Sequence, residues 1–403
     1  MRLFRSSCVV SRCVSGLCQS FEPAISRQAV ACALPISSMA QYTPLSNKSC
    51  DYITNEQGST HLVWKTKPSN VLIIKKIRAA EVQKAFKQLV LYLCQEKQLC
   101  VTVEPCVFEE FTGDDEFSLV SKDLKKLDFD SPSCIDDIDF IVCLGGDGTL
   151  LYLSSLFQEY VPPIIPFHLG SLGFLMTHAF ADFEETLERT LSASADSPLG
   201  VTVRVRLNCE LQLASESEQL PTSTECRRVS PSGYTIVGPQ TRVARMAALN
   251  EVVIDRGSSP YLTGLELACN GKYVADVQGD GVIIATPTGS TAYAAAAGGP
   301  MVEPGVPGIT IAPICPHSLS FRPVVVSLQR NVQVRIPESS RMSAWVSCDG
   351  RNRQQLQPGD GVQITSHLWP MACINKKETT ADWFTGLAEC LQWNARLKQK
   401  PLM

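Results

Sequence analysis

An apolar run followed at once by three glycines limits the possible folds of this chain more than any other stretch. Residues 140–144 (Phe-Ile-Val-Cys-Leu) are bounded by turn residues, which is typical of a buried strand in a parallel sheet. Gly145, Gly146 and Gly148 then let the backbone turn sharply and approach a ligand. Helical spacing resumes over residues 149–157. The pattern predicts a strand, a glycine turn and a helix, whose N-terminus can stabilise a phosphate.

Asp147 is the unusual member of this turn. A carboxylate repels phosphate, so Asp147 is not expected to bind phosphate directly. It is expected either to bind Mg²⁺ or to accept a proton from a hydroxyl. The turn matches neither G-x-x-x-x-G-K-[ST] nor G-x-G-x-x-G, the two common nucleotide-binding patterns. From the residues alone, a site that handles phosphate competes with a tight turn that merely ends a strand.

Length and composition indicate a globular protein of two domains. The chain has 403 residues, of which 44% are hydrophobic and 19% charged. Its net charge of −4 argues against a nucleic-acid-binding surface, and no apolar run is long enough to predict a transmembrane helix. The 17 cysteines include no C-x-x-C pair, so we expect reduced thiols in an intracellular protein.

Residues 1–67 show no sustained periodicity of hydrophobic residues. Residues 1–67 mix Ser, Cys, Pro, Gln and Asn, which predicts a disordered leader. The first 21 residues contain three arginines and no acid, as in a mitochondrial presequence. A plain cytosolic tail, or an alternative start at Met39, is the competing interpretation.

Residues 68–198 predict an α/β nucleotide-binding domain. Apolar strands alternate there with helical stretches, which favours a parallel sheet with helices on both faces. Lys75, Lys76 and Arg78 follow the first strand, at the edge of the sheet where ligands bind. They either neutralise a polyphosphate or form a solvated basic turn.

Residues 199–379 predict a second, all-β domain resembling a sandwich. Residues 201–213 alternate with period two, and short strands recur to about residue 375. Residues 215–245 are predicted to be an exposed insertion, in which Ser230 fits the pattern of basophilic protein kinases.

Residues 380–397 predict a terminal helix. Thr380 can cap it, and Phe384, Leu387 and Leu391 share one face. Because that face is apolar, we expect the helix to pack back on the α/β domain.

Three groups of residues in the β domain are candidates for binding. Asn250 and Glu251 place an amide beside a carboxylate, which suits a ribose diol, although a cap or a turn is the ordinary alternative. Residues 278–293 predict a strand, a turn and a helix of small residues, whose N-terminus offers free N–H groups. Asp349 stands at a turn, where a hairpin role and a binding role remain equally open.

Four motifs, at these separations, resemble the NAD kinase family: residues 145–149, 250–251, 280–281 and 286–293. The resemblance extends over about residues 71–397 and is strongest to the animal cytosolic form; the leader and the insertion lie outside it. The first motif alone is also similar to diacylglycerol and sphingosine kinases and, more distantly, to phosphofructokinases. All of these transfer a phosphoryl group to a hydroxyl.

The resemblance implies a Rossmann-like, phosphofructokinase-like α/β domain and a β-sandwich domain with a cleft between them. It implies transfer of the γ-phosphate of ATP to the 2′-hydroxyl of the adenosine ribose of NAD, giving NADP, with Mg²⁺ or another divalent cation. Asp147 would accept the hydroxyl proton. Homo-oligomers, dimers or tetramers, and a cytoplasmic location are also implied. The residues expected to contact nucleotide are Gly145, Gly146, Gly148, Thr149, Phe174, Asn250, Glu251, Asp280, Thr291, Ala292 and Tyr293.

Two rival functions remain from the sequence. A lipid kinase would share the glycine turn and the two-domain plan, but residues 286–293 favour a dinucleotide. A catalytically idle dinucleotide sensor would not need Asp147 together with Asn250 and Glu251.

Overall fold

The computed structural model describes residues 48–56, 58–111, 124–128, 135–214 and 245–394. The leader up to residue 47 and nearly all of the predicted insertion, with Ser230, lie outside the described residues. Within the described ranges, no helix is both long enough and apolar enough to cross a membrane.

A ten-stranded sheet forms the α/β part of the described fold. Numbered in chain order, its strands are β1 (Cys50–Thr54), β2 (Thr60–Trp64), β3 (Asn70–Lys75), β4 (Cys100–Val103), β5 (Leu124–Lys126), β6 (Phe140–Gly145), β7 (Ile164–His168), β8 (His178–Ala179), β9 (Leu199–Arg204) and β22 (Met371–Ile374). The strand order is β1-β2-β9-β22-β7-β6-β3-β4-β5, with β8 beside β7. Strands from β22 to β5 pair in parallel, whereas β1, β2, β9 and β22 pair antiparallel.

Helices cover both faces of this sheet. Alternate residues of β3 point to opposite sides: Val71 and Ile73 join one core with Phe86, while Leu72 joins another with Leu150. The predicted parallel sheet, buried on both faces, is thereby confirmed. The helices are α1 (Ala80–Leu91), continued by a π-helix (Tyr92–Glu96), α2 (Pro105–Glu110), α3 (Asp147–Leu156) and, after a 3₁₀ turn (Phe180–Asp182), α4 (Phe183–Leu191).

Two six-stranded antiparallel sheets, counted over the described residues, form the β-sandwich that the sequence predicts. Leu207 and Val334 of one sheet share an apolar core with Val252 and Ile284 of the other. The first sheet contains β10 (Leu207–Gln212), β11 (Arg245–Ala248), β13 (Thr263–Cys269), β14 (Lys272–Gly279), β18 (Val332–Arg335) and β21 (Gly361–Ser366). The second contains β12 (Glu251–Asp255), β15 (Gly281–Ala285), β16 (Gly308–Ile314), β17 (Val324–Ser327), β19 (Ala344–Cys348) and β20 (Arg351–Leu356). A 3₁₀ turn (Thr288–Thr291) and helix α5 (Tyr293–Ala296) follow β15.

The predicted leader extends too far. Residues 1–67 were expected to be disordered, but β1 and β2 lie within that range and form one edge of the large sheet. Cys50 and Leu62 are fully buried. The prediction was wrong because these strands are only five residues each and mix polar with apolar side chains, and Cys50 and Leu62 are buried only by long-range packing.

The period-two run at residues 201–213 is two strands in two different sheets. Strand β9 completes the large sheet and β10 belongs to the sandwich, so the expected domain change at residue 199 comes too early. Strand β22 later returns to the large sheet. The chain therefore first passes from the large sheet to the sandwich at Val205 and Arg206, between β9 and β10; we call this point the first crossing.

The terminal helix α6 (Thr379–Leu391) packs on the α/β part, as predicted. A side chain at Gly386 would lie 3.4 Å from the Phe174 ring, and the Cys390 thiol donates to the Leu172 carbonyl at 3.3 Å. The helix therefore supports the turn that follows β7.

The face by which α6 packs differs from the prediction. Leu387 is buried, but Phe384 is 45% exposed and Leu391 is 47% exposed. Thr380 does not cap the helix; instead Asp382 accepts the backbone N–H groups of Lys376 and Lys377, at 2.8 and 3.1 Å. The narrower contact arises because Gly386, rather than a large apolar residue, faces Phe174.

Arg206 fixes the first crossing to the end of α3. Its fully buried guanidinium donates to the backbone carbonyls of Trp369 (2.7 Å), Glu159 (2.8 Å), Ser154 (3.4 Å) and Phe157. Burial lowers the pKa of Arg206 from its ordinary value. The positive charge also lies where the helix carries its negative end, which favours the charge.

We expect Arg206→Ala to lower the free energy of unfolding by at least about 3 kcal/mol, because it leaves several buried carbonyls without donors and opens a cavity. Denaturation in guanidinium chloride measures this loss. Arg245→Ala is the matched control, since its ion pair with Glu210 is exposed and should contribute less than about 1 kcal/mol. Equal losses in the two variants would contradict the assignment.

Candidate functional site

Asp147 begins α3, directly after the glycine turn that ends β6. Its Oδ2 accepts the N–H of Phe174 at 3.0 Å, and its Oδ1 accepts the N–H of Leu175 at 3.1 Å. These two bonds hold the carboxylate between two glycine turns, one after β6 and one after β7. The N-terminus of α3 further favours its negative charge. A fixed carboxylate with spare lone pairs can accept a proton from a bound hydroxyl.

The glycines near Asp147 have distinct roles. A Cβ at Gly173 would lie 2.1 Å from the Asp147 Oδ1, and one at Gly145 (φ +155°) would lie 2.3 Å from the Thr149 Oγ1. These two positions therefore require glycine for packing. At Gly146 and Gly148 an added Cβ would meet no described atom within 4 Å. The backbone there borders open space, as a phosphate-binding turn requires.

Lys75 is not available to bind phosphate. Its ammonium group is buried, pairs with Glu110 at 2.8 Å and lies over the rings of Phe86 (5.7 Å) and Phe111 (5.5 Å). The suggestion that it neutralises polyphosphate was therefore wrong. Lys75 directly follows the four buried apolar residues 71–74 of β3, and the packing of α1 and α2 encloses the end of its side chain.

Asn250 and Glu251 lie at the start of β12 with only 8% of each residue exposed. Among the described residues, neither Asn250 Oδ1 nor Glu251 Oε2 has a hydrogen-bond partner. Buried polar atoms in native proteins are normally paired, so these atoms indicate a ligand site. Burial, followed by the negative charge of Asp349, raises the pKa of Glu251 to about 8.

The turn after β15 holds the Asn250 segment from one side. The Thr286 N–H donates to the Asn250 carbonyl at 2.9 Å, and the Thr286 hydroxyl donates to the Leu249 carbonyl at 2.6 Å. A Cβ at Gly289 would lie 2.1 Å from the Asn250 carbonyl oxygen. Two motifs that are separate in the sequence are therefore in direct contact.

Tyr293, Asp280 and Glu251 surround a common region. Burial raises the pKa of the Tyr293 hydroxyl, and the negative charges of Asp255, Asp280 and Glu251 add to that shift. Tyr293 is nevertheless 44% exposed, so its ring is accessible. Asp280 forms an ion pair with Arg256, with 2.7 Å between the Arg256 Nε and the Asp280 Oδ1.

The rest of the predicted dinucleotide segment lies beside Tyr293. The Thr291 hydroxyl donates to the Thr288 carbonyl at 3.2 Å, and Ala292 precedes α5. The structure therefore places Thr291 and Ala292 at the same end of β15 as the Asn250 contact.

Packing joins the Asp147 group to the Asn250 group. Leu249, next to Asn250, shares an apolar core with Leu150 of α3. The buried Arg204 donates to the Phe174 carbonyl and to the Thr288 hydroxyl, both at 3.4 Å. The two groups are therefore linked through packed residues where the large sheet adjoins the sandwich.

Sequence reasoning missed one residue of this arrangement and left a second undecided. Arg204 appeared only as a charged position in an alternating strand, yet it connects both glycine-containing turns. Asp349 was left open between turn and binding residue, and it accepts three N–H groups from residues 249–251. Arg204 stands in an alternating run that also contains Arg206, so nothing in the sequence distinguishes it.

The fold and these contacts define a two-domain protein in which a glycine turn with a fixed carboxylate is linked by packing to a segment that carries a buried amide and carboxyl pair. Comparison with known proteins refines this class. Residues 71–195 match the model of the ATP-NAD kinase N-terminal domain, and residues 249–374 match that of the ATP-NAD kinase C-terminal domain.

Individual relatives agree with the family models. The chain is 42% identical to the chloroplastic NAD kinase 2 of Arabidopsis thaliana over 85% of this chain and 32% of that protein. It is 32% identical to an uncharacterized kinase of Schizosaccharomyces pombe over 85% of this chain and 88% of that protein. The structure of yeast NADH kinase complexed with NADH matches with a TM-score of 0.71 and 28% identity, over 89% of this chain and 99% of that one.

The chain belongs to the NAD kinase family. It spans about a third of the length of the Arabidopsis relative.

Proposed function

We propose that the protein transfers the γ-phosphoryl group of ATP to the 2′-hydroxyl of the adenosine ribose of NAD, forming NADP. The observation that carries this proposal is the pair of buried oxygens without described partners, in a segment that packs against the helix of Asp147. Asp147 is fixed by two N–H bonds on one side, and Asn250 and Glu251 present buried oxygens without described partners on the other. A ribose diol supplies the hydrogen-bonding groups that those oxygens lack.

Asp147 is the proposed catalytic residue. Phosphoryl transfer requires the protein mainly to align the hydroxyl with the phosphate and to offset charge. Asp147 accepts the hydroxyl proton as the oxygen–phosphorus bond forms. The turn formed by Gly146, Gly148 and Thr149 binds the phosphates, and Gly145 allows the sharp bend that exposes its backbone.

The dinucleotide is held by the sandwich side of the cleft. Asn250 and Glu251 bind ribose hydroxyls, and the Phe174 ring forms a wall for a base. Asp280, Thr291, Ala292 and Tyr293 complete the dinucleotide site in this proposal.

A divalent cation fits the residues that are present. Within the described ranges, no group of three His, Cys, Asp or Glu side chains could hold a metal by itself. Mg²⁺ is usually bound by one or two carboxylates together with substrate phosphates and water, and Asp147 supplies a carboxylate where the phosphates would lie. When bound, the cation offsets negative charge on the transferring group.

An acceptor panel tests the proposed function. Purified protein is given ATP and Mg²⁺ with NAD, NADH, diacylglycerol or sphingosine, and ADP formation is followed. We expect turnover with NAD and none with the lipids. Turnover with a lipid alone would establish the lipid kinase alternative, and NAD binding without turnover would establish the sensor. NADH is included because the yeast structure of similar fold contains NADH.

We further propose a homo-oligomer in the cytoplasm. Size-exclusion chromatography with light scattering measures the assembly, and a monomeric mass would contradict it. For location, residues 1–50 fused to a fluorescent reporter should give a diffuse cytosolic signal. Accumulation of the reporter in mitochondria would overturn this expectation.

A further inference from the structure

The hairpin of β19 and β20 turns through Asp349 and Gly350. Both residues have positive φ, +49° and +70°, as the two central residues of a type I′ turn do. Asp-Gly is a common sequence for such a turn, and that role alone would explain the two residues. It would not explain the direction of the Asp349 carboxylate.

The Asp349 carboxylate points away from its own turn and binds a distant segment. Its Oδ2 accepts the N–H of Leu249 at 2.7 Å. Its Oδ1 accepts the N–H groups of Asn250 at 2.8 Å and Glu251 at 3.1 Å. A hairpin needs none of these bonds, because turn aspartates normally bind their own backbone two residues on.

These bonds act on the residues that present the buried ribose-binding oxygens. The chain changes direction between β11 and β12, at residues 249–251. Asp349 holds the N–H side of this segment, while Thr286 holds the carbonyls of Leu249 and Asn250. The segment is therefore clamped from two sides.

The same turn reaches the helix of the catalytic base. The Arg351 guanidinium lies 5.3 Å from the centre of the Tyr152 ring, and Tyr152 belongs to α3, which begins at Asp147. The Tyr152 hydroxyl donates to Glu104 at 2.6 Å. The turn therefore contacts both parts of the protein: Asp349 binds the 249–251 segment of the sandwich, and Arg351 packs on α3 of the α/β part.

We propose that Asp349 is a positioning residue for dinucleotide binding: it fixes the backbone from which Asn250 and Glu251 reach the ribose. This inference rests on the proposed function. The charge of Asp349 has a second effect. Asp349 is the charged group that raises the pKa of Glu251, Arg351 acts in turn on Asp349, and Glu251 raises the pKa of Tyr293. Removing the Asp349 charge lowers the pKa of Glu251.

Asp349→Asn is the test variant, because Asn-Gly is at least as favourable as Asp-Gly in a type I′ turn and the hairpin is retained. The amide keeps one acceptor oxygen but sets its NH₂ group against the Leu249 N–H. We expect the KM for NAD to rise at least about 10-fold while kcat stays within about 3-fold, because one hydrogen bond to a charged group is lost. NAD affinity should change with pH as Glu251 titrates. The midpoint of that change, here called the pH midpoint, should move to a lower pH in Asp349→Asn.

Two further variants complete the experiment. Asp360→Asn is the matched control, since Asp360 accepts backbone N–H groups of Ala214 and Gln357 in the same sandwich, away from the cleft. Asp349→Glu keeps the charge but displaces the oxygens, so it should raise KM without moving the pH midpoint. It also serves if Asp349→Asn does not fold.

A KM for NAD that matches the control in whichever Asp349 variant folds, or an unmoved pH midpoint in Asp349→Asn, would overturn the inference. Loss of thermal stability alone, with NAD binding unchanged, would also overturn it and leave Asp349 a purely structural residue. If the unmodified protein binds NAD but does not phosphorylate it, the proposed function fails instead.

Discussion

Replacing Asp147 by Asn should lower kcat by about 10²–10⁴-fold, which is the usual contribution of a general base. The amide keeps the size of the side chain and one acceptor for the N–H groups of Phe174 and Leu175, but it has no basic oxygen. NAD affinity should change little, because Asn250 and Glu251 bind the ribose from the other side of the cleft. The loss should therefore appear in kcat and not in the NAD dissociation constant.

Asp382→Asn is the matched control for this variant. Asp382 also lies in the first turn of a helix and accepts two backbone N–H groups, those of Lys376 and Lys377, but it does not face Asn250 and Glu251. If Asp147 were only a helix-start residue, both variants would lose a little stability and keep near-normal turnover. That outcome would rule out Asp147 as the base.

Replacing Glu251 by Gln should weaken NAD binding and at the same time stabilise the unliganded protein at pH 8. Burial and the charge of Asp349 raise the pKa of Glu251 from 4.5 to about 8. Below pH 4.5 Glu251 is protonated in the folded and unfolded states alike. Between pH 4.5 and 8 only the unfolded state releases the proton, so stability is lost as pH rises through that window.

The size of this effect follows from about 1.4 kcal/mol per pKa unit, which gives a penalty on the order of 3–5 kcal/mol near pH 8. The Glu251→Gln variant carries no such penalty. Its melting temperature should therefore exceed that of the original protein at pH 8 and approach it near pH 4.5. Above pH 8, where Glu251 is ionised, NAD affinity should fall by about 10–100-fold, because a hydrogen bond donated to a charged carboxylate is replaced by one to a neutral amide.

Thermal melting from about pH 5 to 8 and NAD titration of one preparation measure both changes. Glu338→Gln is the control, because its ion pair with Arg335 is exposed and its pH profile should follow the original protein. A Glu251 variant whose melting temperature runs parallel to that of the control at every pH would contradict the buried, shifted carboxyl.

The local motif around Asp147 could be predicted from the sequence because its signals are short-range. An apolar run, three glycines and a resumed helical period are all contained in residues 140–157. The contact between Asn250 and Gly289 could not be derived in that way. It depends on the pairing of β12 with β15, which brings together residues far apart in the sequence.

The errors also have a physical pattern. Strands β1 and β2 pair with each other, and they were missed because only the pairing of β2 with the distant β9 attaches them to the large sheet. Lys75 was expected to be exposed because lysine is charged, although it directly follows the buried residues of β3. Phe384 and Leu391 were assigned to a packed face because helical periodicity does not reveal which part of the apolar face the rest of the fold covers. In the structure Gly386 and Leu387 are buried, whereas Phe384 and Leu391 are exposed.

The most direct test of the central claim follows the transferred atom. The protein is incubated with NAD, Mg²⁺ and ATP that carries a labelled γ-phosphate, and the dinucleotide product is cleaved at its pyrophosphate. We expect all label in the product to be recovered as adenosine 2′,5′-bisphosphate, and the Asp147→Asn variant to form it far more slowly. Label on the nicotinamide half, on the 3′-hydroxyl or only in free phosphate would contradict the proposed transfer.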